Sequence, residues 1–121
     1  MLNDKSAVVL VVEDDPIVLL SAVDIIEEAG YRALQASDAD EAIAILEANP
    51  DIHIVFTDIE MPGSMDGVKL AAFVRDRWPP VEIIITSGRV PAADVVLPDR
   101  GVFLQKPYRA QDLTEQLGRL L

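Results

Sequence analysis

Residues 7–12 read Ala-Val-Val-Leu-Val-Val, an unbroken apolar run rich in β-branched side chains that stops abruptly at Glu13-Asp14-Asp15-Pro16. A run without polar alternation belongs to a strand covered on both faces, as in a parallel sheet with helices above and below it. The same constraint recurs along the chain. A more polar run at about 32–36 predicts an edge strand. Ile52 to Thr57 form a third strand closed by Asp58, Val81 to Thr86 a fourth, and Val102 to Gln105 a fifth.

Helical patterns separate these runs. After Asp15 as N-cap and Pro16 at the first helical position, Ile17, Leu20, Val23, Ile25 and Ile26 predict an apolar stripe that Gly30 terminates. Ser37 or Asp38 caps a second helix reaching Leu46 and Glu47, with Ala42, Ile43, Ile45 and Leu46 inward. Asp66 caps a third, with Val68, Leu70, Ala71, Phe73 and Val74 inward, and Trp78-Pro79-Pro80 ends it. The last runs from Ala110 to Leu121 on Leu113, Leu117, Leu120 and Leu121. Such alternation with short connections predicts an α/β fold: a flavodoxin-like five-stranded parallel sheet in the order 2-1-3-4-5, with right-handed crossovers and helices on both faces. One stretch breaks the pattern. Pro91 and Pro98 bracket the segment before the fifth strand, so the helix expected there is short or irregular.

The chain has 121 residues, enough for one domain with its own core, and no linker or second domain is discernible within 1–121. Its net charge of −11 repels nucleic-acid phosphates, so direct binding to DNA or RNA is not expected. No apolar run approaches the ~18 residues of a membrane span. Met1 to Ser6 is polar, which argues against a secretory leader. Cysteine is absent, which removes disulfides and thiolate metal sites and agrees with a cytoplasmic setting.

Four polar signals follow four strands: Glu13-Asp14, Asp58, Thr86-Ser87 and Lys106. In a parallel sheet all four lie at the carboxyl edge, where α/β proteins bind ligands. A lone acid after a strand is explained by capping, a lone Thr by a turn, and a lone Lys by solvation. Their joint arrival at one edge is harder to explain that way. Glu13, Asp14 and Asp58 crowd like charges, which a cation relieves. Oxygen-only ligands suit a hard ion, and Mg²⁺ fits best because it keeps waters and favours phosphate oxygens. A carboxylate beside such an ion can attack phosphorus and become an aspartyl phosphate. Lys106 and Thr86 then supply an ammonium and a hydroxyl for the phosphoryl oxygens.

With these residues in view, the chain resembles a response-regulator receiver domain of two-component signalling over nearly its whole length. The matching pieces are Val12-Glu13-Asp14-Asp15-Pro16, Asp58-Ile59-Glu60-Met61-Pro62 with Met65-Asp66-Gly67, Thr86-Ser87-Gly88 and Lys106-Pro107-Tyr108. The resemblance implies that a histidine kinase or a histidine phosphotransfer protein phosphorylates Asp58. It implies that Asp14, Asp58 and the Glu60 main-chain carbonyl ligate Mg²⁺, with Glu13 acting largely through water. It further implies a Thr86–Phe103 switch, a cis Lys106–Pro107 peptide, signalling through protein contacts and compatibility with a phosphorylation-dependent dimer. The loop from Glu60 to Gly67 is one residue longer than the commonest family form.

Other readings stay open. The chain is expected to be a stand-alone phosphoacceptor switch rather than an enzyme. Glu60, two residues after the nucleophile, also suits the general acid/base of a Mg²⁺-dependent aspartyl-phosphate phosphatase or phosphotransferase. A receiver-like scaffold, or a receiver segment of a longer regulator or hybrid kinase, completes the set. Elsewhere, His53 is expected to be a partly buried structural residue, Trp78 a packing residue at a helix end, and Met61 and Met65 packing residues of their loop. Ser87 is read as a small residue that leaves access to the site.

Overall fold

The computed structural model describes residues 7–121; the polar segment Met1 to Ser6 lies outside the described residues. Five strands, β1 (Val8–Val12), β2 (Arg32–Ala36), β3 (Ile52–Asp58), β4 (Glu82–Ser87) and β5 (Val102–Gln105), form one parallel sheet in the order β2-β1-β3-β4-β5. Four helices cover it: α1 (Pro16–Glu28), α2 (Ala39–Ala48), α3 (Gly67–Arg77) and α4 (Ala110–Leu120). This is the flavodoxin-like arrangement expected from the alternation of runs.

The β1 run shows why it had to be apolar throughout. Val8, Leu10 and Val12 face the layer that holds Ala42 and Leu46 of α2 and Leu70, Ala71 and Val74 of α3. Val9 and Val11 face the other layer, against Val23 and Ile26 of α1 and Leu113 and Leu117 of α4. Strand side chains alternate faces, so a strand with two covered faces has no polar positions to spare. The more polar β2 lies at the sheet edge, as its composition predicts.

Two expectations need correction. Ile17 and Leu20 do not join the α1 stripe; they are 80% and 55% exposed, while Ala22, Val23 and Ile26 are buried. At 3.6 residues per turn Ile17 lies roughly half a turn round the helix from Ile26, so both cannot face the sheet. His53 is exposed rather than partly buried. The β1–β3 register shifts between Val8 and Val9, and His53 Nδ1 accepts the Val8 N–H at 3.2 Å. The imidazole thus serves a backbone donor at an irregularity in the ladder.

Strand order brings the expected site residues together. Asp58 pairs in register with Thr86, and Ser87 with Gln105 beside Lys106. The connection from β4 to β5 holds only a short 3₁₀ turn, Ala92–Asp94, in agreement with the flanking prolines. Val90 and Val95 pack against the core from this strap, while Val96 is 79% exposed. The strap's far end is held by Arg75 of α3, whose Nε donates to the Asp99 carbonyl at 2.9 Å. Trp78 ends α3, tilted against Phe73 and lying beneath the Arg77 guanidinium.

Candidate functional site

At the carboxyl edge of the sheet lies an open cleft of about 570 Å³. Glu13, Asp14, Asp15, Asp58, Glu60, Arg89 and Lys106 line it, together with Val18, Met61 and Pro62. β1 delivers Glu13 and Asp14, β3 delivers Asp58, and Lys106 directly follows β5. Asp58 and Glu13 are each only 4% exposed, an unusual depth for carboxylates.

Lys106 bridges the two buried acids. Its Nζ lies 2.9 Å from Glu13 Oε1 and 3.2 Å from Asp58 Oδ2. Burial pulls the ammonium pKa down, but the hydrogen bond to Glu13 and the charges of Asp58 and Glu13 outweigh it and hold the group above its ordinary value. Asp58 is pushed up from 3.8 to about 6, by burial first and by the Glu13 charge second, with Lys106 opposing. A carboxyl so raised carries uncompensated repulsion, and its Oδ1 is buried with no hydrogen-bond partner.

This orphan oxygen bears on the metal question. Glu13, Asp14 and Asp58 each offer a carboxylate oxygen, and the three lie within 4.8 Å of one another. An all-oxygen set with two buried acids and a free oxygen fits a hard divalent cation such as Mg²⁺. Asp15 serves the helix instead, its Oδ1 accepting from Ile17 N at 2.9 Å and Val18 N at 3.4 Å. The Lys106–Pro107 peptide is cis.

Thr86 is 3% exposed and adjacent to Asp58, yet its hydroxyl donates to the Leu104 carbonyl at 2.6 Å. Phe103, in register with Ile85, is half-buried against the α2–α3 layer. Met61 and Met65 pack against the same layer, and Met61 also lines the cleft. Gly67 sits directly on the backbone of Asp58: a Cβ there would come within 1.9 Å of the Asp58 carbonyl oxygen. Only glycine permits this approach, so the turn into α3 fixes the seat of Asp58.

The model for the response regulator receiver domain matches residues 9–118. The chain is a response regulator receiver domain. Among its relatives are the hydrogenase transcriptional regulatory protein HoxA of Cupriavidus necator, 36% identical over 78% of this chain and 19% of that protein, and the nitrogen assimilation regulatory protein NtrX of Azorhizobium caulinodans, 33% identical over 93% and 26%. A receiver domain structure from Clostridium thermocellum superposes with a TM-score of 0.85 at 28% identity, covering 94% of this chain and 93% of that one. The receiver spans well under half the length of both curated relatives.

Two receiver residues gain roles that the sequence does not announce. Ser87, fully buried, is a junction rather than a mere small residue. Its Oγ donates to Glu60 Oε2 at 2.6 Å and accepts from Arg89 N at 3.1 Å and Val90 N at 2.9 Å. Its carbonyl accepts from Lys106 N at 3.0 Å and Gln105 Nε2 at 2.7 Å. Tyr108 packs edge-on against Phe56 and lines a second, largely apolar groove of about 520 Å³ with Ile17, Val18, Ser21, Ile25, Gly88, Lys106 and Pro107. Ile17, which periodicity alone places in the core stripe of α1, is exposed and lines that groove.

Proposed function

We propose that this receiver accepts a phosphoryl group on Asp58 from a phosphohistidine of a kinase or phosphotransfer protein, with Mg²⁺, and signals through protein contacts. The observation that carries the reading is the Asp58–Lys106–Glu13 triad, both of its acids buried and one Asp58 oxygen unpartnered, at the floor of an open cleft.

An Asp58 oxygen forms the bond to phosphorus while the nitrogen–phosphorus bond of the donor breaks and its electron pair returns to the imidazole. Asp14, Asp58 and the Glu60 carbonyl, with Glu13 acting largely through water, would hold Mg²⁺, which when bound would supply positive charge for the phosphoryl oxygens. Lys106 already lies at 3.2 Å from Asp58 and takes a phosphoryl oxygen with little movement. Thr86 must exchange its bond to the Leu104 carbonyl for one to the phosphoryl group. That exchange couples the site to β5 and Phe103, two elements with alternative packings available.

The groove lined by Ile17, Ile25 and Tyr108 shares Val18 and Lys106 with the cleft, so a helix seated there can present its histidine to Asp58. Exposed Ile17 and Leu20 supply apolar anchors for that contact. On this reading the domain is a cytoplasmic phosphoacceptor rather than a turnover enzyme, and the Glu60 carboxylate that a hydrolase would use as acid/base instead accepts from the Ser87 hydroxyl in tying the loop to β4. Among the described residues no helix is long and apolar enough to cross a membrane.

The test is incubation with acetyl phosphate and Mg²⁺, followed by intact-mass measurement. One phosphoryl group is expected on the wild type and none on Asp58→Asn. Label retained by the variant sinks the assignment of Asp58.

A further inference from the structure

Arg89 lines the phosphoacceptor cleft, yet nothing above gives its side chain a task. Its backbone position is set closely, because the N–H donates to Ser87 Oγ, which in turn donates to Glu60 Oε2. Ser87 thereby ties the start of the strap to the opposite rim. The guanidinium itself has no hydrogen-bond or ion-pair partner among the described residues. Lys106, the other cation lining the cleft, is already committed to Glu13 and Asp58.

That contrast matters because of charge. Five carboxylates line the cleft, from Glu13, Asp14, Asp15, Asp58 and Glu60, against the two cations. A phosphodonor brings a phosphoryl group with a charge near −2. It must approach a surface of its own sign, within a chain of net charge −11. An uncommitted guanidinium at the mouth lowers that barrier, and its planar fork suits phosphoryl oxygens.

We infer that Arg89 is the donor-capturing residue of this receiver: its guanidinium engages the phosphoryl group of an incoming donor at the cleft mouth and draws it toward Asp58. The inference rests on the proposed role of Asp58 and adds the recognition of the donor. With an acyl phosphate, an Asp58 oxygen bonds to phosphorus, the phosphorus–oxygen bond to the acyl group breaks, and the carboxylate leaves with the electron pair. With a phosphoimidazole, the ring nitrogen leaves instead. Arg89 contacts the part common to both.

The experiment measures second-order rates of labelling by acetyl phosphate and by phosphoimidazole at low and high ionic strength. Arg89→Ala is expected to slow both donors by about three- to tenfold at low salt, with the gap narrowing as salt screens the charge. Arg89→Lys is expected to retain most of the rate. Mg²⁺ affinity, read by calorimetry, moves the other way or not at all, because a repelling cation has been removed. A rate loss with weaker Mg²⁺ binding means a damaged loop and overturns the inference. So does loss with one donor alone, or an undiminished rate in Arg89→Ala. If neither the wild type nor the variant takes label, the Asp58 reading fails along with it; a labelled wild type and an equally fast variant sink Arg89 alone.

Discussion

The two connections that flank β4 reach the same cleft by opposite means. The one before it carries α3, capped by Asp66 through Lys69 N at 2.9 Å and buried on Leu70, Ala71 and Val74. The one after it carries only a 3₁₀ turn, anchored by Val90, Val95 and hydrogen bonds at its two ends. The first connection seats the nucleophile, because Gly67 lies against the Asp58 backbone. The second starts from the buried Ser87 at the end of β4, which ties it to Glu60, and places Arg89 in the lining of the cleft. The cleft thus has a helix on the acceptor side and a strap with a single 3₁₀ turn on the rim, and a fixed acceptor beside an adaptable rim is the division of tasks this contrast predicts.

The same substitution on either side of β4 gives the largest expected contrast. A Cβ at Gly67 meets the Asp58 carbonyl oxygen at 1.9 Å and its carbon at 2.7 Å, both backbone atoms that cannot rotate away. Gly67→Ala is expected to destabilise the domain by about 3 kcal/mol or more. It should also slow phosphorylation by on the order of a hundredfold, since misplacing a nucleophile by ~1 Å has that effect. At Gly88 the nearest atom is Lys106 Cβ at 3.6 Å, ordinary contact. Gly88→Ala is expected to change stability by less than ~1 kcal/mol. Chemical denaturation and acetyl phosphate labelling of the two variants decide it; equal effects would mean that the seat is no stiffer than the strap.

This contrast also explains what could be read from the residues alone. Asp58, Glu13, Asp14 and Lys106 were legible because strand periodicity places them and parallel topology gathers them at one edge. Helix α3 was legible from its cap and its apolar spacing. Ile17 and Leu20 were assigned to the wrong face because an apolar stripe in sequence does not distinguish core from an exposed apolar patch. The course of the strap was not legible: Pro91 and Pro98 exclude a long helix but dictate no alternative. The roles of Ser87 and Arg89 depend on a hydrogen bond between the end of β4 and the Glu60 loop that no local pattern encodes.

The charge held on the rigid side yields the intermediate effect. Burial and the Glu13 charge push the Asp58 carboxyl up to about 6, against 3.8 as its unperturbed value. Between those values the folded state binds more protons than the unfolded one, so stability falls as pH rises through about 4 to 6. Above that window the full penalty of an ionised, crowded carboxylate remains. Asp58→Asn has no such penalty and is expected to be more stable than wild type by about 1–3 kcal/mol at pH 8, with the gap closing below about pH 4. Mg²⁺ should reverse the order by stabilising the wild type more than the variant. Thermal melts across pH, with and without Mg²⁺, check both signs. A variant less stable than wild type at pH 8 without metal would show that the Lys106 ion pair outweighs burial and Glu13.

The smallest expected effect tests whether the strap is a unit apart from α3. Arg75 holds its far end: Nε donates to the Asp99 carbonyl, and one terminal nitrogen donates to the carbonyls of Pro79 and of Val81, the latter at 2.9 Å. Arg75→Met keeps an apolar stem of similar length and removes those donors. Water can replace them at the exposed Asp99 and Pro79 carbonyls, while the Val81 carbonyl and the Glu82 carboxylate 3.8 Å away lose a partner, so the expected loss is about 1–2 kcal/mol. Amide exchange should rise at Gly101, whose N–H bonds to the Pro98 carbonyl, and little within α3 or β3. Acetyl phosphate labelling of Asp58 should change less than about twofold, because the seat on Gly67 is untouched. Exchange that rises together through the strap, α3 and β3 would mean that the two connections open as one. The division between a fixed acceptor and an adaptable rim would then fail, and Arg89 would have to act from a surface as rigid as the one that holds Asp58.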